Sequence, residues 1–324
     1  MDALEDNIYT LTREFVEIAG RYVHGLDLRR LAVETVIFRF VSHFGVSPRH
    51  CAIVWLFCEE RAFNINRDRE KKHLLWTLNV LKTDDSEHVL HGRWRADEKT
   101  IRKGVFIFLE ALSSLEVVSA LAFDAIVLSF YTDMLQIDWS FRKDGTGSPA
   151  NIFVSIDGTD FRIREPHPFE PGWFSIKYKA AAVKYEVGVC IATGWIVWLF
   201  GPFRAGKNDL MVAQRGVDLI VEDGERYIAD KAYKSESAVN PYDAWNHDDR
   251  LYMRVVRGRH ETINRLFKQF KSIANTFRRD PAKHGLFMYS IANIIQIGIM
   301  FGCIRPFAID IPVPDTPTFD PDEA

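Results

Sequence analysis

Residues 152–161 read Ile-Phe-Val-Ser-Ile-Asp-Gly-Thr-Asp-Phe, and the apolar part of this stretch stops at Asp157. A short run rich in β-branched and aromatic residues predicts a buried β-strand, here with Asp157 at its exposed end. A second run of this kind, Tyr227–Ala229, is followed directly by Asp230. Two strand-end carboxylates indicate a shared site, although a single Asp in this position often only stabilises the next turn.

A third carboxylate, Glu261, lies in a helical pattern and is expected near the start of its helix. The buried face of that helix is marked by Ile263, Leu266, Phe267, Phe270 and Ile273. Arg265 and Lys268 follow Glu261 at helical spacing, so these residues share the opposite face. Converging carboxylates repel one another unless a divalent cation neutralises them, and oxygen ligands suit Mg²⁺ or Mn²⁺. The neighbouring His260 is expected to be an ordinary exposed histidine.

The residue pattern of the sequence changes around residue 143. The first 142 residues show helical spacing of apolar residues, in 32–40, 52–57, 73–81 and 101–115. Residues 143–150 form a Gly/Ser/Pro-rich linker. Beyond it, 152–156, 183–191 and 196–200 have strand composition. The pattern predicts a helical domain (1–142), an α/β domain (151–308) and an acidic, Pro-rich tail (309–324).

Residues 71–115 predict three helices, over 71–82, over 87–92 and from Glu98 onward. Asp85 or Ser86 is the expected cap of the second helix and Asp97 that of the third. A helix-turn-helix of this form would direct the start of its third helix toward DNA. The basic residues there are Lys99, Arg102 and Lys103. A plain helical bundle is the alternative, and a second helix pair around Ser47 has the composition of core.

The charge distribution favours a polyanionic partner more than the total charge does. The chain has 324 residues and a net charge of −3, and the tail alone carries five acids. Residues 254–283 contain nine Lys or Arg against two acids, a basic stretch able to hold a phosphate backbone. The uncharged residues 285–304 match a membrane span in length, but Ser290, Asn293 and Gln296 favour a buried helix.

The three carboxylates belong to a wider pattern. Asp157-Gly-Thr-Asp-Phe161, Asp230-Lys-Ala-Tyr233 and Arg257-x-x-x-Glu261-x-x-x-x-x-x-Lys268 follow one another along the chain. Further segments agree in order: 174–179, 185–188, 201–202 and 208–209. Together they resemble the DDE endonuclease domain of PIF/Harbinger-type transposases over most of residues 150–300. The 71–115 segment also resembles the helix-turn-helix that precedes the nuclease domain in those transposases.

The resemblance implies an RNase H-like α/β fold, a mixed sheet flanked by helices, behind an all-α domain with a helix-turn-helix. Asp157, Asp230 and Glu261 would be catalytic and would hold two Mg²⁺ or Mn²⁺ ions. Arg257 and Lys268 match positions that touch phosphate. Asp209 matches a recurrent acid that is either a further metal ligand or a helix-capping residue, and Asp160 is expected to be structural.

The resemblance also implies double-stranded DNA as the substrate, with cleavage and then strand transfer. It further implies work in the nucleus as well as the cytoplasm, a Myb/SANT-like DNA-binding protein as partner, and a homo-oligomer. A domesticated, non-catalytic DNA-binding protein is the main alternative, and the presence of all three carboxylates argues against it. A hydrolase of small phosphate esters is a third, and the basic stretch argues against that one.

Overall fold

The computed structural model describes residues 2–23, 26, 31–62, 70–115, 139–143, 151–240 and 247–305. These fall into two compact units. Unit 1 takes the described residues of 1–136, 267–275 and 282–304, and unit 2 those of 137–266 and 276–281 together with 305. Residues 144–150 of the predicted linker and the whole predicted tail lie outside the described residues.

The described helices are numbered in chain order. They are α1 (Asp2–Tyr22), α2 (Val33–Phe44), α3 (Pro48–Ala62), α4 (Lys71–Thr83), α5 (Glu87–Trp94), α6 (Glu98–Ser113), α7 (Asp209–Ala213), α8 (His247–Lys268), α9 (Lys271–Ala274) and α10 (His284–Met300). Unit 1 contains α1 to α6 with α9 and α10. Unit 2 contains α7 and most of α8.

The three helices predicted in 71–115 are confirmed as α4, α5 and α6. The starts of α5 and α6 are set by local capping. The Ser86 side chain accepts a hydrogen bond from the Val89 amide, which starts α5. Asp97 accepts from the Lys99 and Thr100 amides, which starts α6. Each such cap satisfies an amide that the first helical turn leaves unpaired.

Helix α10 is buried, as its polar residues predicted. The Ser290 hydroxyl and the Asn293 amide donate to the carbonyl oxygens of Leu109 and Leu112 in α6, at 3.0 and 2.7 Å. These bonds anchor α10 among the helices of unit 1, so it does not belong to the compact unit of the sheet, where the predicted 151–308 domain had put it. Of the helices described, none is both long and apolar enough to cross a membrane.

Two buried histidines should make unit 1 sensitive to acid. Burial lowers the pKa of His50 to about 4 and that of His284 to about 3. In the unfolded chain a histidine has a pKa of about 6.5. Below that pH the unfolded chain binds a proton that the folded chain refuses, so stability falls as the pH falls toward 4. For His50 alone we expect a loss of roughly 3 kcal/mol between pH 7 and pH 4.

The His50→Gln variant isolates this effect. The histidine Nε2 donates to the Ile294 carbonyl at 2.8 Å, and a glutamine amide retains a donor without taking up a proton. Urea unfolding followed by circular dichroism should show a weaker pH dependence in this variant. His88→Gln, at an exposed histidine, should behave as the wild type does. An unchanged pH dependence in His50→Gln would contradict the assignment.

Unit 2 is built on a mixed six-stranded sheet flanked by helices. Its strands are β1 (Ile152–Arg162), β2 (Phe174–Ser175), β3 (Ala180–Cys190), β4 (Ile196–Arg204), β5 (Arg226–Ile228) and β6 (Ala238–Val239). β1 has β3 antiparallel on one side and β5 parallel on the other. β4 is antiparallel to β3, β6 is parallel to β5, and β2 pairs with the start of β3.

Each face of the sheet carries its own apolar cluster. Tyr252, Met253 and Val256 of α8 pack with Ile152 and Ile228. The other cluster holds Ala213 of α7, with Val154, Ile156, Val197 and Tyr227 from the strands. The sheet is therefore covered on both sides.

Candidate active site

The three predicted carboxylates line one cavity of unit 2. Asp157 comes from β1, Asp230 from the residues after β5 and Glu261 from α8, and Arg257 and His260 line the same cavity. Its volume is about 70 Å³, several times the roughly 10–15 Å³ that one water needs. Asp157 and Glu261, 104 positions apart in the sequence (157 to 261), thus converge on a space larger than one water molecule.

The pairing of β1 with β5 explains why two carboxylates meet. The strands are parallel, with Ser155 opposite Ile228. Asp157 and Asp230 each lie two residues further along, so they stand level with each other. The prediction that Asp157 ends its strand was wrong, because β1 continues to Arg162 by pairing with β3. Asp157 instead marks the point where β1 loses its parallel neighbour.

Helix α8 is fixed against β1 by two polar contacts. His260 Nδ1 and the Ser155 hydroxyl share a 2.8 Å hydrogen bond, and the Asn264 amide donates to Asp157 at 3.0 Å. These contacts set the register in which Glu261 reaches the cavity. Glu261 lies in the last third of α8, not near its start as predicted, because the preceding turns add an apolar face that packs on the sheet.

His260 is buried, so its prediction as an exposed histidine was also wrong. Its side chain is only 4% exposed, and burial lowers its pKa to about 4. The ring is therefore neutral at pH 7. Among the described residues Nε2 has no hydrogen-bond partner, although the ring lines the cavity. His260 positions α8, and its second nitrogen remains available to a group in the cavity.

The cavity disfavours its own negative charge. Burial, followed by the charge of Asp230, raises the pKa of the Asp157 carboxyl to about 6, and Asp209 adds to the effect. The Asn264 hydrogen bond and the charge of Lys177 oppose it. A bound cation would relieve this repulsion, and carboxylate oxygens are ligands that Mg²⁺ and Mn²⁺ accept. The donor set therefore fits a hard divalent cation. In the described part of the chain, however, no three His, Cys, Asp or Glu side chains are already gathered closely enough to hold one ion.

Asp209 lies beside this cavity rather than in its lining. Its carboxylate forms a 2.7 Å ion pair with Lys184, which is almost buried in β3. The cap of α7 is Asn208, whose side chain accepts from the Met211 amide. The helix cap is therefore Asn208 and not Asp209. That Asp209 is a further metal ligand stays a prediction. Asp160, further along β1, accepts a 2.6 Å hydrogen bond from the Ser175 hydroxyl.

Gly158 makes room for Asp209 next to Asp157. A Cβ atom at this position would lie 2.7 Å from Asp209 Oδ1 and 3.5 Å from the Tyr233 hydroxyl. We expect Gly158→Ala to destabilise unit 2 by about 1–3 kcal/mol through this clash. Hydrogen exchange of the β1 and β3 amides should report the loss.

A double-mutant cycle tests the cause of that loss. In Gly158→Ala with Asp209→Ala the clash is absent, so the combined effect should be smaller than the sum of the single effects. Gly258→Ala is the matched control, because a Cβ there meets nothing within 4 Å. Its effect on stability should simply add to that of Asp209→Ala. Strict additivity of the first pair would contradict the proposed contact.

The predicted DNA-binding residues differ in their surroundings. Arg257 lines the cavity, and Arg265 is exposed on the same helix. Lys268 is exposed but groups with unit 1. In the predicted helix-turn-helix, Lys99 and Lys103 are exposed. Arg102, in contrast, pairs with Glu87 of α5 through both Nε and Nη2. This pair ties α5 to α6, so Arg102 is less free to meet phosphate than the sequence suggested.

No protein-family model matches the chain, and no curated protein or solved structure matches it either.

Proposed function

We propose that this protein is a divalent-metal-dependent DNA endonuclease of the DDE transposase type, with an RNase H-like catalytic domain. The observation that carries the proposal is the convergence of Asp157, Asp230 and Glu261 on one cavity. The strand order supports the fold assignment. Leaving aside the short β2, three antiparallel strands are followed by two strands parallel to the first, and the first strand lies in the centre.

The proposed metal ligands are the three carboxylates. When bound, such a pair of cations activates water and stabilises the leaving oxygen of the phosphodiester. Asp157 of β1 and Asp230 just after β5 would hold the cations together with Glu261 of α8. His260 and Asn264 fix that helix against β1. Arg257 donates to the phosphate oxygens of the DNA at the cavity.

Two features would bind the DNA substrate: positively charged side chains near the carboxylates, and the helices of unit 1. Lys177 and Arg257 place positive charge at the carboxylates, which attracts a phosphate backbone despite their negative charge. Lys99 and Lys103, at the exposed start of α6, contact the duplex as in a helix-turn-helix. Nuclear work, a Myb/SANT-like partner and a homo-oligomer stay predictions of the resemblance.

Cleavage of supercoiled plasmid tests this proposal. The wild type should nick plasmid with Mg²⁺ or Mn²⁺ and not with a chelator. Asp230→Asn and Glu261→Gln should reduce the nicking rate at least about a hundredfold, since each removes a group placed at the reacting phosphate. Asp223→Asn is the matched control, because this carboxylate is exposed and lies outside the cavity lining. A wild type that binds DNA without cutting it would leave only the non-catalytic DNA-binding function.

A further inference from the structure

One ring nitrogen at the carboxylate cavity is buried without a hydrogen-bond partner in the described part of the chain. His260 lines this cavity together with Asp157, Asp230 and Glu261. Its side chain is 4% exposed, and the atom without a partner is Nε2. A buried polar atom that forms no hydrogen bond is costly, and in native proteins it often marks the position of a water, an ion or a substrate. Nε2 therefore indicates a ligand inside the cavity.

The other ring nitrogen of His260 is already bonded. Nδ1 lies 2.8 Å from the Ser155 hydroxyl oxygen. A hydroxyl has one hydrogen, and that of Ser155 is directed to the Val189 carbonyl oxygen at 3.5 Å, which can only accept. The hydrogen shared with Nδ1 thus belongs to the ring, and Nε2 keeps its lone pair. Histidines that bind metals have this arrangement, in which one nitrogen donates to an oxygen and the other is the ligand.

The imidazole ring is held rigidly on the face of α8 that packs on β1. Asn264 follows His260 by four residues, so the two side chains share that face. The Asn264 amide nitrogen donates to Asp157 at 3.0 Å, while its buried Oδ1 has no partner among the described residues. Each side chain thus binds β1 with one polar atom and keeps a second atom for a ligand. A donor fixed in this way loses little conformational entropy when it binds.

A divalent cation suits Nε2 better than the other partners that the cavity offers. The carboxylates accept hydrogen bonds, as Nε2 does, so they cannot bond to it directly. Arg257 lines the cavity and is a donor, but it does nothing to bring the carboxylates and Nε2 to one point. A water can bridge two acceptors but leaves the carboxylate charges in place, whereas a cation binds both kinds of atom and offsets the charge. The described side chains do not yet surround one point, so the cation must draw its ligands together.

We propose that His260 Nε2 is a direct ligand of a divalent cation in the cavity of Asp157, Asp230 and Glu261. The inference rests on the proposed nuclease function and gives its metal site a nitrogen donor. Imidazole suits transition metals, whereas Mg²⁺ prefers a shell of oxygen ligands. The site should therefore prefer Mn²⁺ over Mg²⁺, and this preference should depend on His260.

Pulsed electron paramagnetic resonance of bound Mn²⁺ tests this bond directly. A nitrogen bonded to the metal modulates the electron spin echo of Mn²⁺, so the full-length protein is loaded with substoichiometric Mn²⁺ and its echo is recorded. The wild type should show nitrogen modulation. Labelling of its histidines with ¹⁵N should move the modulation to the ¹⁵N frequencies, which identifies the nitrogen as one of histidine without any substitution in the chain.

The His260→Asn variant separates the metal ligand from the contact with Ser155. The asparagine amide nitrogen is attached to Cγ, as Nδ1 is, so it can still donate to the Ser155 hydroxyl, but no atom replaces Nε2. The modulation should disappear, and Mn²⁺ affinity should fall at least about tenfold, since even an outer-shell partner of a metal ligand contributes that much. Mg²⁺ affinity, measured by competition with Mn²⁺, should fall by less than about threefold. His88→Gln, at an exposed histidine of unit 1, should change neither affinity.

Two results would overturn the proposal. One is a wild type that binds Mn²⁺ without histidine modulation, which is expected if a water or Arg257 is the partner of Nε2. The other is modulation that persists unchanged in His260→Asn.

Plasmid nicking distinguishes this proposal from the nuclease function. If the wild type nicks plasmid but its Mn²⁺ shows no histidine modulation, only the role of His260 is overturned. If the modulation is present but the wild type never nicks with Mg²⁺ or Mn²⁺, the nuclease function fails and His260 remains a ligand of a metal site with another role. If the wild type binds no Mn²⁺, both are overturned.

Discussion

The Asp157→Asn variant should unfold less readily than the wild type at pH 7.5 without metal, and should cleave DNA at least about a hundredfold more slowly. Burial and the charge of Asp230 raise the pKa of the Asp157 carboxyl to about 6, so its ionised form is destabilised in the folded protein. The gain from removing that charge should be about 1–3 kcal/mol, allowing for partial screening by solvent. The amide oxygen can still accept from Asn264, so the contact to α8 is kept.

The sign of the pH dependence identifies the cause. Between pH 6 and about 3.8, the ordinary value, the folded chain keeps a proton on Asp157 that the unfolded chain releases. The penalty is therefore present above pH 6 and disappears toward pH 4. The stability difference between Asp157→Asn and the wild type should shrink accordingly. Hydrogen exchange of β1 and β3 measures it, and a difference that persists unchanged at pH 4 would contradict the explanation.

With a divalent cation bound, the wild type should become more stable than Asp157→Asn. Mn²⁺ at one hundred times its dissociation constant would stabilise the wild type by roughly 2.7 kcal/mol, while a variant that has lost the site gains little. A protein whose site costs stability until it is filled shows the trade-off between stability and activity expected of an active site. Asp223→Asn should behave as the wild type does in both buffers.

The second large effect is expected at Arg142, far from the chemistry. Its guanidinium is only 5% exposed and pairs with Glu225 at 2.6 and 2.8 Å and with Glu222 at 2.6 Å. It also lies 5.0 Å from the centre of the Trp139 ring. Arg142→Ala leaves the buried Glu225 carboxylate without its partner and should destabilise unit 2 by about 3–5 kcal/mol.

Two further variants test the buried ion pair. Replacing Arg142 and Glu225 together by leucines should restore much of the lost stability, because no buried charge is then left uncompensated. Lys143→Ala breaks an exposed pair with Glu222 and a 5.6 Å contact of Nζ with the Phe153 ring, and it should change stability by less than about 1 kcal/mol. Equal effects of Arg142→Ala and Lys143→Ala in urea unfolding would contradict this account.

The sequence predicted what local chemistry determines. Ser86 and Asp97 start their helices through bonds to amides two or three residues away, so their positions alone predicted α5 and α6. The apolar runs before Asp157 and Asp230 likewise pointed to two carboxylates that line one cavity. The polar residues of α10 distinguished a buried helix from a membrane span, because apolar lipid offers them no partner.

What the sequence did not predict depends on residues far away along the chain. β1 extends past Asp157 because β3 pairs with it, which the apolar run does not report. His260 is buried where α8 packs against β1 and bonds to Ser155. Asn264, one helical turn later, contacts Asp157 across the same packing. The pair of Arg142 with Glu225 joins positions 83 residues apart. A list of charges gives no sign of such a contact.

Mn²⁺ binding tests most directly whether Asp157, Asp230 and Glu261 act on one metal centre. Electron paramagnetic resonance distinguishes free from bound Mn²⁺, so a titration in the presence of duplex DNA gives the number and affinity of sites. The wild type should bind Mn²⁺, with affinity reduced at least about tenfold in Asp157→Asn, Asp230→Asn and Glu261→Gln and unchanged in Asp223→Asn. Wild-type affinity in all three site variants, or no binding by the wild type, would contradict the claim.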